Sequence, residues 1–141
     1  MFLDEYSAKK QSPIINALKT SVAPGWGHFS VESYTKGQIF LGVQLALLGS
    51  GIYFREKAMI EYRKYEKATQ IDDIDKYYDD TIIPHRQSSL LFTLSIVVWG
   101  YTIYDAIVET NHYNWELWEK LSTDKLSSNL SITPVSITWR F

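Results

Sequence analysis

The chain of 141 residues contains no cysteine. This excludes disulfide bonds, thiolate metal sites, a cysteine nucleophile and a lipid anchor attached through cysteine. The net charge of −2 lacks the basic excess of a nucleic-acid-binding protein. A nucleophile elbow, a glycine-rich phosphate loop and an H-E-x-x-H motif are also missing from the sequence. We therefore predict a protein that is not an enzyme, needs no cofactor and does not bind nucleic acid.

Charge is missing from two long stretches, and this absence organises the chain. Residues 38–54 and 88–103 contain no charged side chain. At 1.5 Å per residue, the 17 residues of the first stretch cover roughly 25 Å, close to the thickness of the hydrocarbon core of a bilayer. We predict an all-α membrane protein whose residues 38–54 and 88–107 form a two-span helical hairpin in the lipid bilayer.

A short helix is predicted over residues 12–23, ahead of the first span. Ser12 suits the N-cap position, and Pro13 suits the first helical position. The segment is too short to cross a bilayer. We expect an interfacial helix with its apolar side towards the lipid, and a helix packed on a partner protein is the alternative. The apolar side consists of Ile14, Ile15, Leu18 and Val22.

A turn is predicted between this helix and the first span. Pro24 disfavours helix at the residue before it, and Gly25 and Gly27 permit backbone conformations that are closed to other residues. Within the first span, small residues recur on one face, which lets a second helix approach closely, and Gly100 of the second span is the expected contact. That face comprises Gly42, Ala46, Gly49 and Ser50.

The connection between the spans, residues 55–86, is a charged arm followed by a turn. Tyr62 and Tyr65 belong to an amphipathic helical stripe that continues the first span to about Thr69 or further. The acidic segments near residue 75 are expected to turn the chain back, with a further turn from Thr81 to Pro84. The 55–78 part of the arm is either a docking helix for another subunit or a solvated hairpin arm.

The C-terminal region is predicted to hold an interfacial segment at 111–120, a polar linker at 122–128 and a terminal strand. The last residues alternate between apolar and polar side chains, as strands do. Such a strand can pair with the edge of a partner's sheet, or the tail can lie on its own protein. The apolar side of the strand contains Val135, Ile137, Trp139 and Phe141.

Basic residues are unevenly distributed around the spans. The 55–86 connection holds seven Lys or Arg residues, against four before the first span and three after the second. The positive-inside rule therefore favours a cytoplasmic connection with both termini outside. A hairpin of this kind fits the bacterial inner membrane, whereas the C-terminal Phe141 suggests an alternative, association with an outer-membrane complex.

Two ionisable groups lie at matching depths at the ends of the antiparallel spans. Lys36 precedes the first span and Asp105 ends the second, so we predict an ion pair that fixes the register of the hairpin. Asp105, Glu109 and His112 also fall on one helical face. That face contains half of a di-iron carboxylate pattern, and it is the basis of a less favoured hypothesis, a metal-dependent membrane enzyme.

Two short segments resemble those of an uncharacterised bacterial family of two-span envelope proteins. The first is P-G-W-G-H-F at residues 24–29, followed by Tyr34-x-Lys36-Gly37, and the second runs from Trp99 to Val108 with Asp105-Ala106 near its end. The family carries glutamine where this chain has His28. The turn also resembles that of the small two-helix membrane domain. The resemblance implies an integral envelope protein, often with a cleaved leader, and it implies no reaction.

These observations together predict a structural or accessory subunit of a bacterial envelope complex, anchored by the hairpin. Its expected partners are the bilayer and other envelope subunits, contacted through the 55–78 arm and the C-terminal strand. The alternative is a self-associating transport or channel component, although the spans offer few polar residues to line a path.

Overall fold

The fold is that of a computed structural model that describes residues 2–129. Helices α4 and α5 are long and apolar enough to cross a membrane, in agreement with the predicted hairpin. The described residues contain no strand, and the strand predicted at 135–141 lies outside them. The elements in chain order are α1 (Phe2–Lys9), α2 (Pro13–Val22), α3 (Trp26–Phe29), α4 (Tyr34–Lys67) and α5 (Ile71–Asn129).

Helices α4 and α5 pack antiparallel along a seam of small and polar residues. Gln44 Nε2 donates to Ser95 Oγ at 2.6 Å, and Ser88 Oγ donates to the Gly51 carbonyl at 2.9 Å. The buried positions repeat every seven residues, which keeps one face of each helix turned towards its partner, as in a coiled coil. They are Gly37, Gln44, Gly51 and Ala58 on α4, and Ser88, Ser95 and Thr102 on α5.

Polarity in this fold is inverted relative to a water-soluble bundle. Within the described part of the chain, Val31, Ala58 and Ala106 are the only buried hydrophobic residues. The large apolar side chains of the hairpin, such as Ile39 and Ile96, are exposed instead. The interior is built from polar side chains: Asn16, Thr20, His28, Gln44, Ser88, Ser95, Thr102 and Thr110.

The small-residue face predicted to join the spans points away from the seam. A Cβ added to Gly42, Gly49 or Gly100 would meet no atom within 4 Å. Ala46 and Ser50 are likewise exposed. The seven-residue repeat explains this orientation, because it places the seam on the opposite side of α4. The structure thus has Gly51, rather than that face, at the contact between the two long helices.

The chain reverses at residues 68–70, earlier than the sequence pattern suggested. Ala68 takes an extended conformation after α4, and the Ile74 N–H donates to the Gln70 carbonyl at the start of α5. The acidic residues Asp72 and Asp73 fall in the first turn of α5, where the helix macrodipole favours negative charge. They begin a helix here instead of ending one.

The turn expected from Thr81 to Pro84 is absent, because Pro84 lies inside α5. A proline in a helix removes one backbone hydrogen bond, and here the loss falls between long helical stretches that pack along α4. Thr81 Oγ1 donates to the Tyr77 carbonyl at 2.7 Å one turn earlier. The segments at 111–120 and 122–128, predicted as separate, also belong to this continuous helix.

Helices α1 and α2 lie along the C-terminal half of α5. The Tyr6 and Trp118 rings meet edge to face at 5.2 Å, and Gln11 and Asn114 exchange two hydrogen bonds of 2.8 Å. Asn16 contacts Thr110 further along. Residue numbers rise along α1 and α2 while the numbers of their contacts on α5 fall, so α2 runs antiparallel to α5 rather than across it.

The packing of the seam predicts that substitution of Gly51 destabilises the hairpin, whereas substitution of Gly49, two residues away, does not. A Cβ on Gly51 would lie 3.1 Å from the Phe92 ring, whereas Gly49 faces open space. We expect Gly51→Leu to destabilise the hairpin by about 1 to 3 kcal/mol through overpacking. Gly49→Leu, the matched control, should leave stability unchanged in unfolding titrations followed by circular dichroism in detergent. Equal losses in both variants would contradict the seam.

Candidate functional site at the glycine turn

Residues 24–33, here called the glycine turn, carry the chain from α2 to α4 without reversing its direction. Gly25 has a φ of +85°, which L side chains rarely adopt, and a Cβ there would collide with the Gly37 carbonyl. The Ser33 N–H donates to the His28 carbonyl at 2.9 Å and closes the turn. The predicted turn residues Gly25 and Gly27 thus lie where the backbone comes too close to α4 and α2 for a side chain, directly after Pro24.

Gly27 connects the glycine turn to α2 through a backbone hydrogen bond. Its N–H donates to Thr20 Oγ1 at 2.9 Å, and a Cβ at this position would lie 2.5 Å from the same oxygen. Lys19 Nζ donates to Ser30 Oγ at 2.9 Å on the same side. Any larger residue at position 27 would push α2 away from the turn.

The turn delivers His28 into a group of polar side chains, here called the polar cluster: His28, Ser33, Lys36, Asp105 and Glu109. His28 is fully buried, and its Nε2 lies 2.9 Å from Asp105 Oδ2. Lys36 Nζ lies 3.7 Å from the same oxygen and 2.5 Å from Glu109 Oε2. Ser33 Oγ donates to Glu109 Oε1 at 3.1 Å. The cluster therefore joins the turn, the start of α4 and the middle of α5.

The charges of the cluster stabilise one another. The hydrogen bond from Lys36, helped by that from Ser33, lowers the pKa of Glu109 below its ordinary value. The same contact with Glu109 raises the pKa of Lys36, with a smaller contribution from Asp105. Burial opposes both shifts and is outweighed. Lys36 and Glu109 thus remain charged over a wider pH range than either would alone.

A second row of hydrogen bonds extends the cluster along α2. Asn16 Nδ2 donates to Thr110 Oγ1 at 3.1 Å, and that hydroxyl donates to the Ala106 carbonyl at 2.6 Å. Asn16 Oδ1 and His28 Nδ1 are buried without a hydrogen-bond partner among the described residues. Buried polar atoms of this kind are the usual partners of internal water.

The structure brings some of the predicted site residues together and separates others. Lys36 and Asp105, predicted to pair, lie within ion-pair distance. His112 points away from Asp105 and contacts Glu116 at 3.4 Å on the exposed surface. Across the described part of the chain, no group of three or more His, Cys, Asp or Glu side chains is arranged to hold a metal ion.

In the arm, the Tyr62 and Tyr65 rings lie 6.1 Å apart, and Tyr65 also meets Tyr78 of α5 at 6.1 Å. Tyr65 therefore helps to close the hairpin, while Tyr62 remains exposed. The other predicted docking residues, Val135, Ile137, Trp139 and Phe141, lie outside the described residues.

Sequence reasoning did not assign His28 to the site, because its partner Asp105 lies 77 residues away along the chain. The available signal was its position in the turn, since the turn had to lie at the same depth as Lys36 and therefore as Asp105. The seven-residue repeat of small and polar residues was also a usable signal, for the seam between α4 and α5.

No protein-family profile, curated protein or solved structure matches the chain.

Removal of Asp105 tests the cluster. Asp105→Ala would leave His28 buried with no partner on either ring nitrogen, so we expect a loss of about 1 to 3 kcal/mol in the free energy of unfolding. Glu116→Ala is the matched control, because its contact with His112 is exposed on both sides and should contribute close to nothing. Unfolding titrations in detergent would measure both. An unchanged stability for Asp105→Ala would refute the cluster's structural role.

The pKa shifts predict a pH dependence for Glu109→Gln. Wild type should exceed this variant in stability by a constant amount near neutral pH. The difference should shrink as the pH falls below 4.5, the ordinary value for glutamate, and through the lowered pKa of Glu109. It should also shrink as the pH rises above 10.5 and through the raised pKa of Lys36.

Thermal unfolding at a series of pH values would record this difference. With Lys36→Met as the background, the Glu109→Gln substitution should no longer produce the profile. A difference that stays constant at both extremes of pH would contradict the assignment.

Proposed function

We propose that the protein is an integral membrane protein whose α4–α5 hairpin crosses a bilayer at residues 38–54 and 88–107. The observation that carries this proposal is the inverted polarity of the hairpin. Apolar side chains such as Leu45 and Leu90 face outwards, while Gln44 donates a hydrogen bond to Ser95 inside. In lipid, outward apolar side chains cost nothing, and small and polar residues join the helices. In water the same surface would be an unstable apolar patch.

The polar cluster supports the placement of the hairpin in the bilayer. Ser88 and Asp105 are 17 residues apart on α5, which corresponds to roughly 25 Å along the helix axis. With the proposed spans, Arg55 and His85 fall near one boundary of the hydrocarbon core and the polar cluster falls near the other. Lys36 is about half exposed, as expected for a side chain that reaches the headgroup layer.

We further propose that the protein serves as a non-catalytic structural or accessory subunit of a bacterial envelope complex. The apolar side of α2 supports a protein partner. Asn16 meets Thr110, one residue after Glu109, so this side of α2 begins just beyond the polar cluster and runs alongside it near the headgroup layer. Ile14 is 72% exposed and Leu18 is 61% exposed. A contiguous exposed apolar helix face at the edge of the proposed hydrocarbon core suits a protein contact.

The sequence resemblance supports an envelope location. The residues that carry it, among them Gly25, Lys36 and Asp105, are those that build the turn and the polar cluster. The basic residues of the 55–86 connection favour its placement in the cytoplasm and hence the inner membrane. Contact with an outer-membrane complex through the chain's C-terminal residues is the alternative.

A second candidate function is a self-associating transport component. The outward small-residue face supports self-association, because Gly42 and Gly49 leave room for a second helix to approach. The polar residues of the spans argue against a transport path. Gln44 bonds Ser95, and Thr102 donates to the Val98 carbonyl of its own helix, so these groups are engaged within one hairpin.

Native mass measurement after mild detergent extraction, with partners identified by mass spectrometry, tests the proposal. We expect a complex of fixed composition that contains other envelope proteins. The double variant Ile14→Asp/Leu18→Asp should release the protein from this complex without loss of helix content, because both side chains are exposed. Leu126→Asp, a substitution at an equally exposed leucine far along α5, is the control and should leave the complex intact.

A lone protein or a homo-oligomer in the wild-type sample would refute the accessory-subunit proposal and favour self-association. Release by the control variant as well would show that the apolar side of α2 is not the contact.

A further inference from the structure

A cleft opens between α4 and α5, at the end of the hairpin opposite the polar cluster. It encloses about 550 Å³. Arg55 and Tyr62 contribute from α4, and His85, Ser89, Phe92 and Ile96 contribute from α5. The cleft is thus built by both helices at the boundary where the apolar run of each helix ends.

The lining of the cleft is divided by depth. Arg55 follows the apolar run of α4 directly, and His85 precedes that of α5 by three residues. Phe92 and Ile96 lie one and two helical turns further into the apolar run, roughly 6 and 12 Å beyond Ser88. One end of the cleft therefore offers nitrogen and hydroxyl donors. The other end is mainly an apolar wall, where the Thr93 hydroxyl donates to the Ser89 carbonyl.

The charge of the cleft has one sign. Residues 55–86 contain eight acidic and seven basic side chains, yet none of the described residues that line this cleft is acidic. Within residues 2–129, the Arg55 guanidinium makes no ion pair and the His85 imidazole makes no hydrogen bond. Arg55 is exposed, so its five donors are available to a ligand.

Some hydroxyl groups of the cleft already donate a hydrogen bond, and one remains available. The hydroxyl group of Ser88 donates to the Gly51 carbonyl, and that of Thr81 donates to the Tyr77 carbonyl. The Ser89 hydroxyl stays available between Arg55 and the apolar wall. An adjoining cleft of about 500 Å³ shares Arg55 and Phe92 with the first, and its lining adds Ile52 and Ile60 together with the charged Glu56 and Arg63.

We propose that this cleft binds an anionic phospholipid, with its phosphate on Arg55, His85 and Ser89 and an acyl chain along Phe92 and Ile96. The inference rests on the proposed membrane placement. A guanidinium binds a phosphate through two parallel hydrogen bonds, and a single anionic group would complement a cleft that has no acidic lining. The apolar wall selects a lipid over a free phosphate, because only a lipid carries a chain that fills it.

The test uses the full chain in mild detergent and native mass spectrometry. The protein is offered equal amounts of dioleoyl phosphatidylglycerol and dioleoyl phosphatidylcholine, which differ only in the headgroup. We expect preferential retention of phosphatidylglycerol, and a loss of roughly five- to tenfold in that retention for Arg55→Gln. Arg55→Lys, which keeps the charge but not the planar fork, should recover part of it.

The matched control is Arg86→Gln, which removes the same charge one residue from His85 but outside the cleft. Its retention of phosphatidylglycerol should stay close to wild type. An equal loss in this control would show that the effect is general electrostatic attraction to the anionic headgroup, and it would overturn the proposed site. Equal retention of both lipids by the wild type would also overturn it. So would displacement of phosphatidylglycerol by an equal concentration of glycerol phosphate, since the cleft would then recognise free phosphate.

Extraction of the source membranes with alkaline carbonate separates this inference from the proposal on which it rests. A protein that stays in the membrane but shows no headgroup preference overturns the lipid site alone. A protein released by carbonate overturns the membrane placement and the lipid site together.

Discussion

The contact between His28 and Asp105 is the point on which the arrangement of the chain depends. It joins the glycine turn to the middle of α5 at the place where α2 ends and α4 begins. Both helices run antiparallel to α5, so the turn does not send the chain back. It leads the chain from α2 to α4, both of which pack on α5, and the His28 contact fixes where this change of helix occurs. The glycines around it exist because the backbone comes too close to α2 and α4 for a side chain.

The long seam between α4 and α5 depends on that register. Gln44 meets Ser95, and Ser88 meets the Gly51 carbonyl, only when Lys36 stands opposite Asp105. A shift of one helical turn would separate each of these pairs at once. Individual hydrogen bonds between membrane helices contribute little, on average about 0.6 kcal/mol, so their value here lies in selecting one register among several. The polar cluster and the hydrogen bonds of the seam therefore specify the same register between α4 and α5.

Much of this fold could be predicted from sequence, for identifiable physical reasons. The charge-free runs located the two long helices, because a helix satisfies the backbone groups of a long apolar stretch internally. Ser12 and Pro13 marked the start of α2, and matching depth predicted the approach of Lys36 to Asp105. The path through Pro84 was not predictable in this way, since a proline breaks a helix in isolation but is tolerated when a neighbouring helix packs along it. Gly42 and Gly51 look alike in sequence, and only the seven-residue repeat shows which of them meets Phe92.

The unbroken length of α5 has a mechanical consequence. Its 59 residues extend for roughly 90 Å, about three times the thickness of a hydrocarbon core. If the bilayer holds its middle, the helix projects about 25 Å on the side of the arm and about 33 Å on the side of α1 and α2. No loop interrupts it between these ends. Such a rod behaves as a lever with the membrane as its fulcrum, so a lateral push on the arm would swing α1 and α2 in the opposite direction on the far side.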